Sequence, residues 1–354
     1  MKNLIRKLVE VTGPSGYESL IRDCVKEEVE GLVDEVCVDN LGNLIVRKGN
    51  KAKNGLRIMV AAHMDEIGMM VSHVDEQGFV RFMPIGGLNA KVCLGSRVRF
   101  LNGEPGVIGS EPAAGGSKAL TFEQLYIDLG WDGQGDPPVK VGDVGVFEGG
   151  MLEMGARIVS KALDDRISVA VLIETLQRLD ANKVQSPHEI YFVFSVQEEV
   201  GLRGANTAAF GIEPDLGLAV DVTRTGDTPK DLKMEVSLGN GPAIKVRDQR
   251  MISDPRVVKW MVESAQKAKL PFQLEVLERG TTDAGAIQLS RAGVPAGCLS
   301  IPCRYLHTPS EMVDYRDVQN SVALMIELLK DPIVFETEQF LHDLKESNQY
   351  EIIP

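Results

Sequence analysis

The sequence predicts an α/β protein whose main domain is split by an inserted β domain. Three patterns carry that expectation. From residue 158 onward, helical and strand-like stretches alternate, as they do where helices cover both faces of a sheet. Between residues 68 and 155, short β-like runs are separated by Gly, Pro, Asn and Asp, with no long helical period. Ahead of them, the apolar run LRIMVAA at 56–62 reads as a buried strand and ends directly in His63-Met64-Asp65-Glu66. The expected division is residues 1–67 plus 158–354 for the α/β domain and 68–157 for the insertion.

In the opening stretch MKNLIRKLVEV, Leu4, Ile5, Leu8 and Val9 follow helical spacing, with charged residues between them. Gly13-Pro14-Ser15-Gly16 breaks the chain, and Leu20, Ile21, Cys24 and Val25 restart the period. Strands are expected over 33–38 and 44–47, around a turn at Asn40-Leu41-Gly42. The insertion has strand-like runs at 79–83, 97–101, 106–110 and 144–148. Beyond it, helices are expected over 164–179, 255–268, 283–291 and 318–329. Strands are expected over 189–196, 216–222, 272–278 and 294–301.

Composition narrows the function. Of 354 residues, 44% are hydrophobic and 25% charged, an ordinary globular balance. No apolar run approaches the ~18–20 residues of a membrane helix. The amphipathic first helix lacks the unbroken apolar centre of a signal peptide, so the expected location is cytoplasmic. A net charge of −13 with no basic stripe argues against nucleic acid as a partner. The five cysteines (Cys24, Cys37, Cys93, Cys298 and Cys303) are odd in number and lack CxxC spacing, which argues against a disulfide framework or a zinc knuckle. Cys298 reads as a small buried hydrophobe.

Five short segments carry chemistry, four of them following or ending predicted strands, where α/β sheets gather their sites. In the first, Asp65 lies two residues beyond His63 and on the same side of extended chain, placed to fix an imidazole that binds metal; the alternative is a surface histidine. In the second, Lys161-Ala162-Leu163-Asp164-Asp165-Arg166, an aspartate is either a helix N-cap or a carboxylate bridging two metals. In the third, Glu198 and Glu199 follow the apolar strand IYFVFSV. Adjacent side chains diverge there, so one acid can bind metal while the other moves a proton. In the fourth, Asp221 lies within an apolar strand and needs a cation, either a metal or an arginine. The fifth is Arg304-Tyr305-Leu306-His307-Thr308-Pro309-Ser310-Glu311. His342, in the polar stretch LHDLKES, reads as a surface residue, and His73 and His188 as structural. Histidine and carboxylate donors with few thiols suit zinc, cobalt or manganese in an open catalytic site.

The order HMD, LDDR, QEEVG, AVDVT and RYLHTPSE resembles the co-catalytic dinuclear aminopeptidases of metallopeptidase family 42. These are the TET-type and glutamyl aminopeptidases, some labelled endoglucanase M or cellulase M. TGPSGYE, DNLGNL, MDEIG, GDTP (226–229) and GTTDAGAI (280–287) extend the resemblance over nearly the whole chain. It implies a mixed-sheet zinc-peptidase domain of the phosphorylase/hydrolase-like kind with a small inserted β-barrel-like dimerisation domain. It further implies removal of N-terminal residues from peptides and assembly from dimers to a tetrahedral dodecamer. Two divalent ions, zinc or cobalt, are implied. His63 and Asp221 would bind one, Glu199 and His307 the other, and Asp164 would bridge them. Glu198 would be the general base and Asp65 would orient His63. Asp165 stands where the family motif often has asparagine.

Three rival readings differ in what they require. A glycosidase needs two carboxyls facing each other across one bond, which the neighbouring Glu198 and Glu199 do not offer. Aromatic residues for sugar stacking are only 5%, with Trp131 and Trp260 the sole tryptophans. A non-catalytic binding protein on the same scaffold would be expected to lack one of the ligand residues, and none is missing. A deacylase or carboxypeptidase would share the metal centre and differ in substrate.

Overall fold

A computed structural model describes residues 1–112, 119–231 and 233–333; His342 lies outside the described residues. The chain opens with α1 (Lys2–Glu10) and α2 (Ser19–Val29), followed by β1 (Glu35–Val38), β2 (Leu44–Lys48) and β3 (Arg57–His63). A second group of strands follows: β4 (Gly68–Val74), β5 (Val80–Ile85), β6 (Arg97–Phe100), β7 (Pro105–Ser110), β8 (Leu125–Asp128) and β9 (Val144–Phe147), with the short α3 (Ala90–Cys93) between β5 and β6. Then come β10 (Leu152–Met154), β11 (Arg157–Ser160), α4 (Leu163–Ala181), β12 (Glu189–Ser195), α5 (Arg203–Ile212) and β13 (Leu216–Thr223). The described chain ends with β14 (Ala243–Arg247), α6 (Pro255–Lys267), β15 (Gln273–Val276), α7 (Asp283–Gln288), β16 (Ala296–Arg304), β17 (Glu311–Asp314) and α8 (Tyr315–Lys330).

The strands form two bodies. An 11-stranded sheet runs β1-β2-β12-β3-β13-β16-β17-β11-β10, with β14 joined to β16 and β15. Its centre, β12-β3-β13-β16, is parallel, while β2 pairs antiparallel with β12, and β14 and β17 pair antiparallel with β16, so the sheet is mixed. Strands β4 to β9 close a separate barrel in the order β4-β5-β8-β7-β6-β9. The chain rejoins the large sheet at β10, ahead of the expected return at residue 158.

Sequence explains the central placement. β3 (RIMVAAH) and β13 (LGLAVDVT) are apolar on both faces and buried along nearly their full length, the pattern of parallel strands covered by helices on each side. α4 is buried on most of its circumference and fills one face of the sheet with α1 and α8. α6 begins with Pro255 after Asp254, whose side chain accepts from the Arg256 amide; Asp314 caps α8 on the Arg316 amide in the same way. His188 is structural, as expected. Its ring spans the Leu56 amide (3.0 Å) and the Asp331 carbonyl (3.0 Å). Cys298 is fully buried.

One buried cation ties the N-terminal helices to the end of β3. Arg166 has no exposed surface and donates to the carbonyls of Met64 (2.6 Å), Leu8 (2.7 Å) and Val11 (2.9 Å). Glu66 lies 3.5 Å away and also pairs with buried Lys161 at 2.7 Å. Replacing Arg166 with Met would leave Glu66 short of a partner and three carbonyls unpaired. The expected loss is ~3–5 kcal/mol of stability. Urea unfolding at fixed protein concentration checks this, and a midpoint equal to that of the parent would contradict it.

Candidate metal centre

The parallel register builds the floor of the centre. Ser195 of β12 pairs with His63 of β3, and Ala219 of β13 pairs with Ala61. Asp221, two residues beyond Ala219, therefore stands level with His63 on the adjacent strand and on the same face. Past Ser195 the chain turns through Gln197, whose φ of 55° is left-handed. The next two residues are Glu198 and Glu199. β16 ends nearby, and the turn into β17 carries His307, itself at φ 60°.

Asp164 lies between the two imidazoles. Its Oδ1 is 3.1 Å from His63 Nε2, and its Oδ2 is 3.2 Å from His307 Nε2. Glu199 Oε1 approaches His307 Nε2 at 3.3 Å, and Glu198 Oε2 approaches His63 Nε2 at 3.9 Å. The neighbouring glutamates thus serve different histidines. Each ring turns its other nitrogen away from the centre. His63 Nδ1 faces the Asp65 carbonyl oxygen (3.1 Å) and carboxylate (3.4 Å), and His307 Nδ1 faces the Gly87 carbonyl (2.9 Å). Oxygen acceptors at Nδ1 hold the proton there and leave the Nε2 lone pair pointing inward, the form in which imidazole binds metal.

Two carboxylates act as straps. Asp65 accepts from Ser15 Oγ (2.6 Å), the Glu198 amide (3.0 Å) and the Glu199 amide (3.2 Å). It therefore shapes the loop carrying both glutamates as well as facing His63. Glu311 accepts from the Asp164 amide (2.9 Å) and the His307 amide (2.8 Å), fixing two of the inward-facing residues at once. Neither Asp164 nor Asp165 makes a side-chain cap at the start of α4.

All seven site residues singled out in the sequence converge: His63, Asp65, Asp164, Glu198, Glu199, Asp221 and His307. Ligand atoms of His63, Asp164 and Glu199 lie within 4.8 Å of one another, and so do those of His63, Asp165 and Asp221. Sequence reasoning offered Asp165 only as a possible helix N-cap, which it is not, and gave no role to Ser15 or Asp283. Asp165 accepts from the His63 amide at 3.2 Å and keeps its other oxygen buried without a partner. The second aspartate of LDDR was its only signal. Asp283, inside GTTDAGAI, is buried against Ser195.

The charge balance is far from neutral. Burial pushes the carboxyls of Glu198 and Asp221 well above the usual carboxylate range; His63 opposes this, while neighbouring acids add to it. Burial raises Glu199 as well. For Asp164 burial acts in the same direction, but the two imidazoles overcome it and hold the group below its ordinary value. Burial disfavours charge on His307, yet Glu199 and Asp164 push it up to about 12. Acids in this number need cations, and bound divalent ions would displace the imidazole protons. The donor set fits them: nitrogen and oxygen only, an anionic carboxylate between two imidazoles, and a buried Glu199 oxygen whose one close neighbour is His307 Nε2.

The centre opens into a cleft of ≈ 840 Å³. Thr281 and Thr282 line it, and their buried hydroxyls have no partner in the described structure. Tyr305 is the one Phe, Trp or Tyr among the described lining residues, which offers little to stack on a sugar face.

Burial pushes the Asp283 carboxyl up to about 6. A folded-state value above the unfolded one means its stabilising contribution is complete below pH ~4 and is lost as pH rises through about 6. In cation-free protein this corresponds to about 3 kcal/mol. Urea unfolding at pH 4 and pH 7 should show at least that fall, and Asp283→Asn should lessen it by the Asp283 share, leaving the part due to Glu198, Glu199 and Asp221. An unchanged slope in the variant would remove Asp283 as its source.

Residues 42–324 match the family model described as M42 glutamyl aminopeptidase. The lysyl aminopeptidase of Pyrococcus furiosus is 37% identical, over 93% of this chain and 96% of its own. Aminopeptidase APDkam598 from the archaeon Desulfurococcus kamchatkensis superposes with a TM-score of 0.88 at 40% identity, covering 93% of this chain and 94% of that one. The Pyrococcus horikoshii TET1 peptidase, described as assembling into a tetrahedron or a large octahedral shell, gives a TM-score of 0.82 at 30% identity, with 93% and 99% covered.

Proposed function

The chain belongs to the M42 glutamyl aminopeptidase family and is a metal-dependent aminopeptidase, and on that premise we propose that its centre holds two divalent cations, zinc or cobalt. His63 and Asp221 hold one, Glu199 and His307 hold the other, and Asp164 bridges them. The observation that carries this reading is the Asp164 carboxylate, which turns one oxygen to each imidazole at 3.1 and 3.2 Å. Bound, the pair of cations would acidify a shared water and polarise the scissile carbonyl.

The remaining steps belong to the chain's own groups. Glu198 receives the proton of the attacking water and returns it to the leaving amine nitrogen. A carboxyl whose burial lifts its proton affinity suits both transfers. Asp65 orients His63 and holds the amides of Glu198 and Glu199. The excess of acids favours the positive α-amino group of a peptide at this end of the cleft. The Thr281 and Thr282 hydroxyls are free to bond the peptide backbone.

The same proposal includes a homo-oligomer, built from dimers up to a tetrahedral dodecamer, with the region 68–157 as the dimerisation domain. The assembly described for the P. horikoshii TET1 peptidase supports this. Five cysteines without a disulfide support action in the reducing cytoplasm.

Chelation should abolish hydrolysis of amino-acyl anilides, and zinc or cobalt should restore it. N-acetylated analogues should stay intact, and their cleavage would favour a deacylase. Glu198→Gln should retain both ions by elemental analysis and lose roughly 10²–10⁴-fold in kcat. Asp164→Ala should lose bound metal, and full occupancy in that variant would rule out bridging.

A further inference from the structure

One contact at the metal centre comes from the barrel. The turn after β5 contains Gly86 and Gly87, and it reaches over the Glu199–His307 side of the centre. The Gly87 carbonyl accepts from His307 Nδ1 at 2.9 Å. A Cβ on Gly87 would stand 2.7 Å from that same nitrogen. Gly86, at φ +79°, lies against Glu199: a Cβ there would come within 3.1 Å of Oε2 and 3.2 Å of Cβ of Glu199, and 2.9 Å from Ile67. The turn is fixed to the barrel at both ends. Ile67 belongs to the barrel core and Leu88 packs against it. By contrast, the imidazole of His63 is braced from the large-sheet side, by Asp65.

We propose that the Gly86–Gly87 turn is a positioning element for the Glu199–His307 cation position, so that this position is complete only while the barrel is seated against the large sheet. The proposal rests on the reading of Glu199 and His307 as ligands. The physical basis is that His307 sits on an exposed turn in a left-handed conformation and is about one-third exposed, whereas His63 is fully enclosed at a strand end. From the large-sheet side the His307 ring meets Asp164 and Glu199 at Nε2 only, and its Nδ1 faces the barrel turn. The Gly87 carbonyl restrains that nitrogen and fixes the tautomer that turns Nε2 inward. The absence of side chains at 86 and 87 lets the main chain approach both ligands closely. The two cation positions therefore differ in kind: one is braced within the sheet, and the other is closed by a separate body. The second would be the weaker, and it would respond to whatever displaces the barrel.

The test is cation binding by the full-length protein, independent of turnover. Cobalt is titrated into cation-free parent, Gly87→Ala, His307→Ala and Gly95→Ala, with bound cobalt counted by elemental analysis and its ligand-field spectrum recorded. Gly95 is a barrel glycine at φ +79° with open space around it; Gly87 lacks such a φ, so Gly95→Ala strains the barrel backbone more than Gly87→Ala does and controls for barrel strain alone. A Cβ 2.7 Å from Nδ1 would force the ring and the carbonyl apart, so Gly87→Ala should bind the first ion as the parent does and the second roughly 10–100-fold more weakly, as loss of a hydrogen bond to a ligand's far nitrogen does. Its spectrum should change, while Gly95→Ala keeps the parent's binding and spectrum. If His307→Ala loses one ion but Gly87→Ala binds both with parental affinity and spectrum, the positioning role is wrong. If His307→Ala itself keeps both, the ligand assignment fails first. Equal weakening in Gly95→Ala would reduce the effect to barrel strain and overturn the proposal.

Discussion

Buried negative charge is the constraint around which this protein is built. Asp164, Asp165, Glu198, Glu199, Asp221, Asp283 and Glu311 all crowd around two imidazoles at one end of the parallel strands. Ionised carboxylates removed from water repel one another, and the fold must supply either protons or cations. Glu66 lies in the same region but has Lys161 and Arg166 as partners, so its charge is met by the chain itself. No Lys or Arg ion pair is present at Asp164, Glu198 or Glu199 among the described residues, and Asp221 forms no ion pair there at all. This contrast separates an acid that stabilises the fold from acids that await a ligand.

The fold meets that constraint by assembling the centre from rigid parts and tying them with main-chain hydrogen bonds. Parallel pairing sets His63 and Asp221 at one level without any side-chain contact having to specify it. The remaining ligands come from turns, which the sheet does not fix. Asp65 holds the glutamate loop through two amides, and Glu311 holds Asp164 and His307 through two more. Orientation therefore comes from carboxyl acceptors on backbone donors, and Asp65, which His63 and Ser15 hold below its ordinary value against the effect of burial, makes the charged and stronger form of that bond.

The sequence disclosed the framework of this arrangement unevenly. β3, β12 and β13 were legible because a continuous apolar run of strand length, closed by an acid or a histidine, marks a buried strand that ends at a polar site. α4, α6 and α8 followed from their helical period, and Pro255 marked a start. α5 (RGANTAAFGI) escaped because its buried face is made of Gly and Ala, which give little contrast with its exposed side. β11 and β17 are four residues each and are strands because they pair with each other and with β10 and β16. β14 depends in the same way on β15 and β16. At the centre, residues that face the cleft carried motif signals. The braces did so only in part: Asp65 was legible in HMD and Glu311 stood in RYLHTPSE without a role, while the Gly87 carbonyl has no local pattern, since its partner lies 220 residues away.

The closed ring of the inserted body bears on how such a protein tolerates change. Six strands pair around a full circuit, so among the described residues of the insertion every strand has a partner on both sides, with β5 and β8 meeting only at Val80 and Ile127. The large sheet does have rims. β1 is exposed along its length, with Glu35 held by Arg47, and three-residue β10 carries Glu153 under Lys2 and Arg6. Short length and charge guard these borders against unwanted partners. Selection against aggregation thus presses on the outer strands of the sheet, while the barrel's outer surface is free to drift toward new contacts without opening a template for fibres.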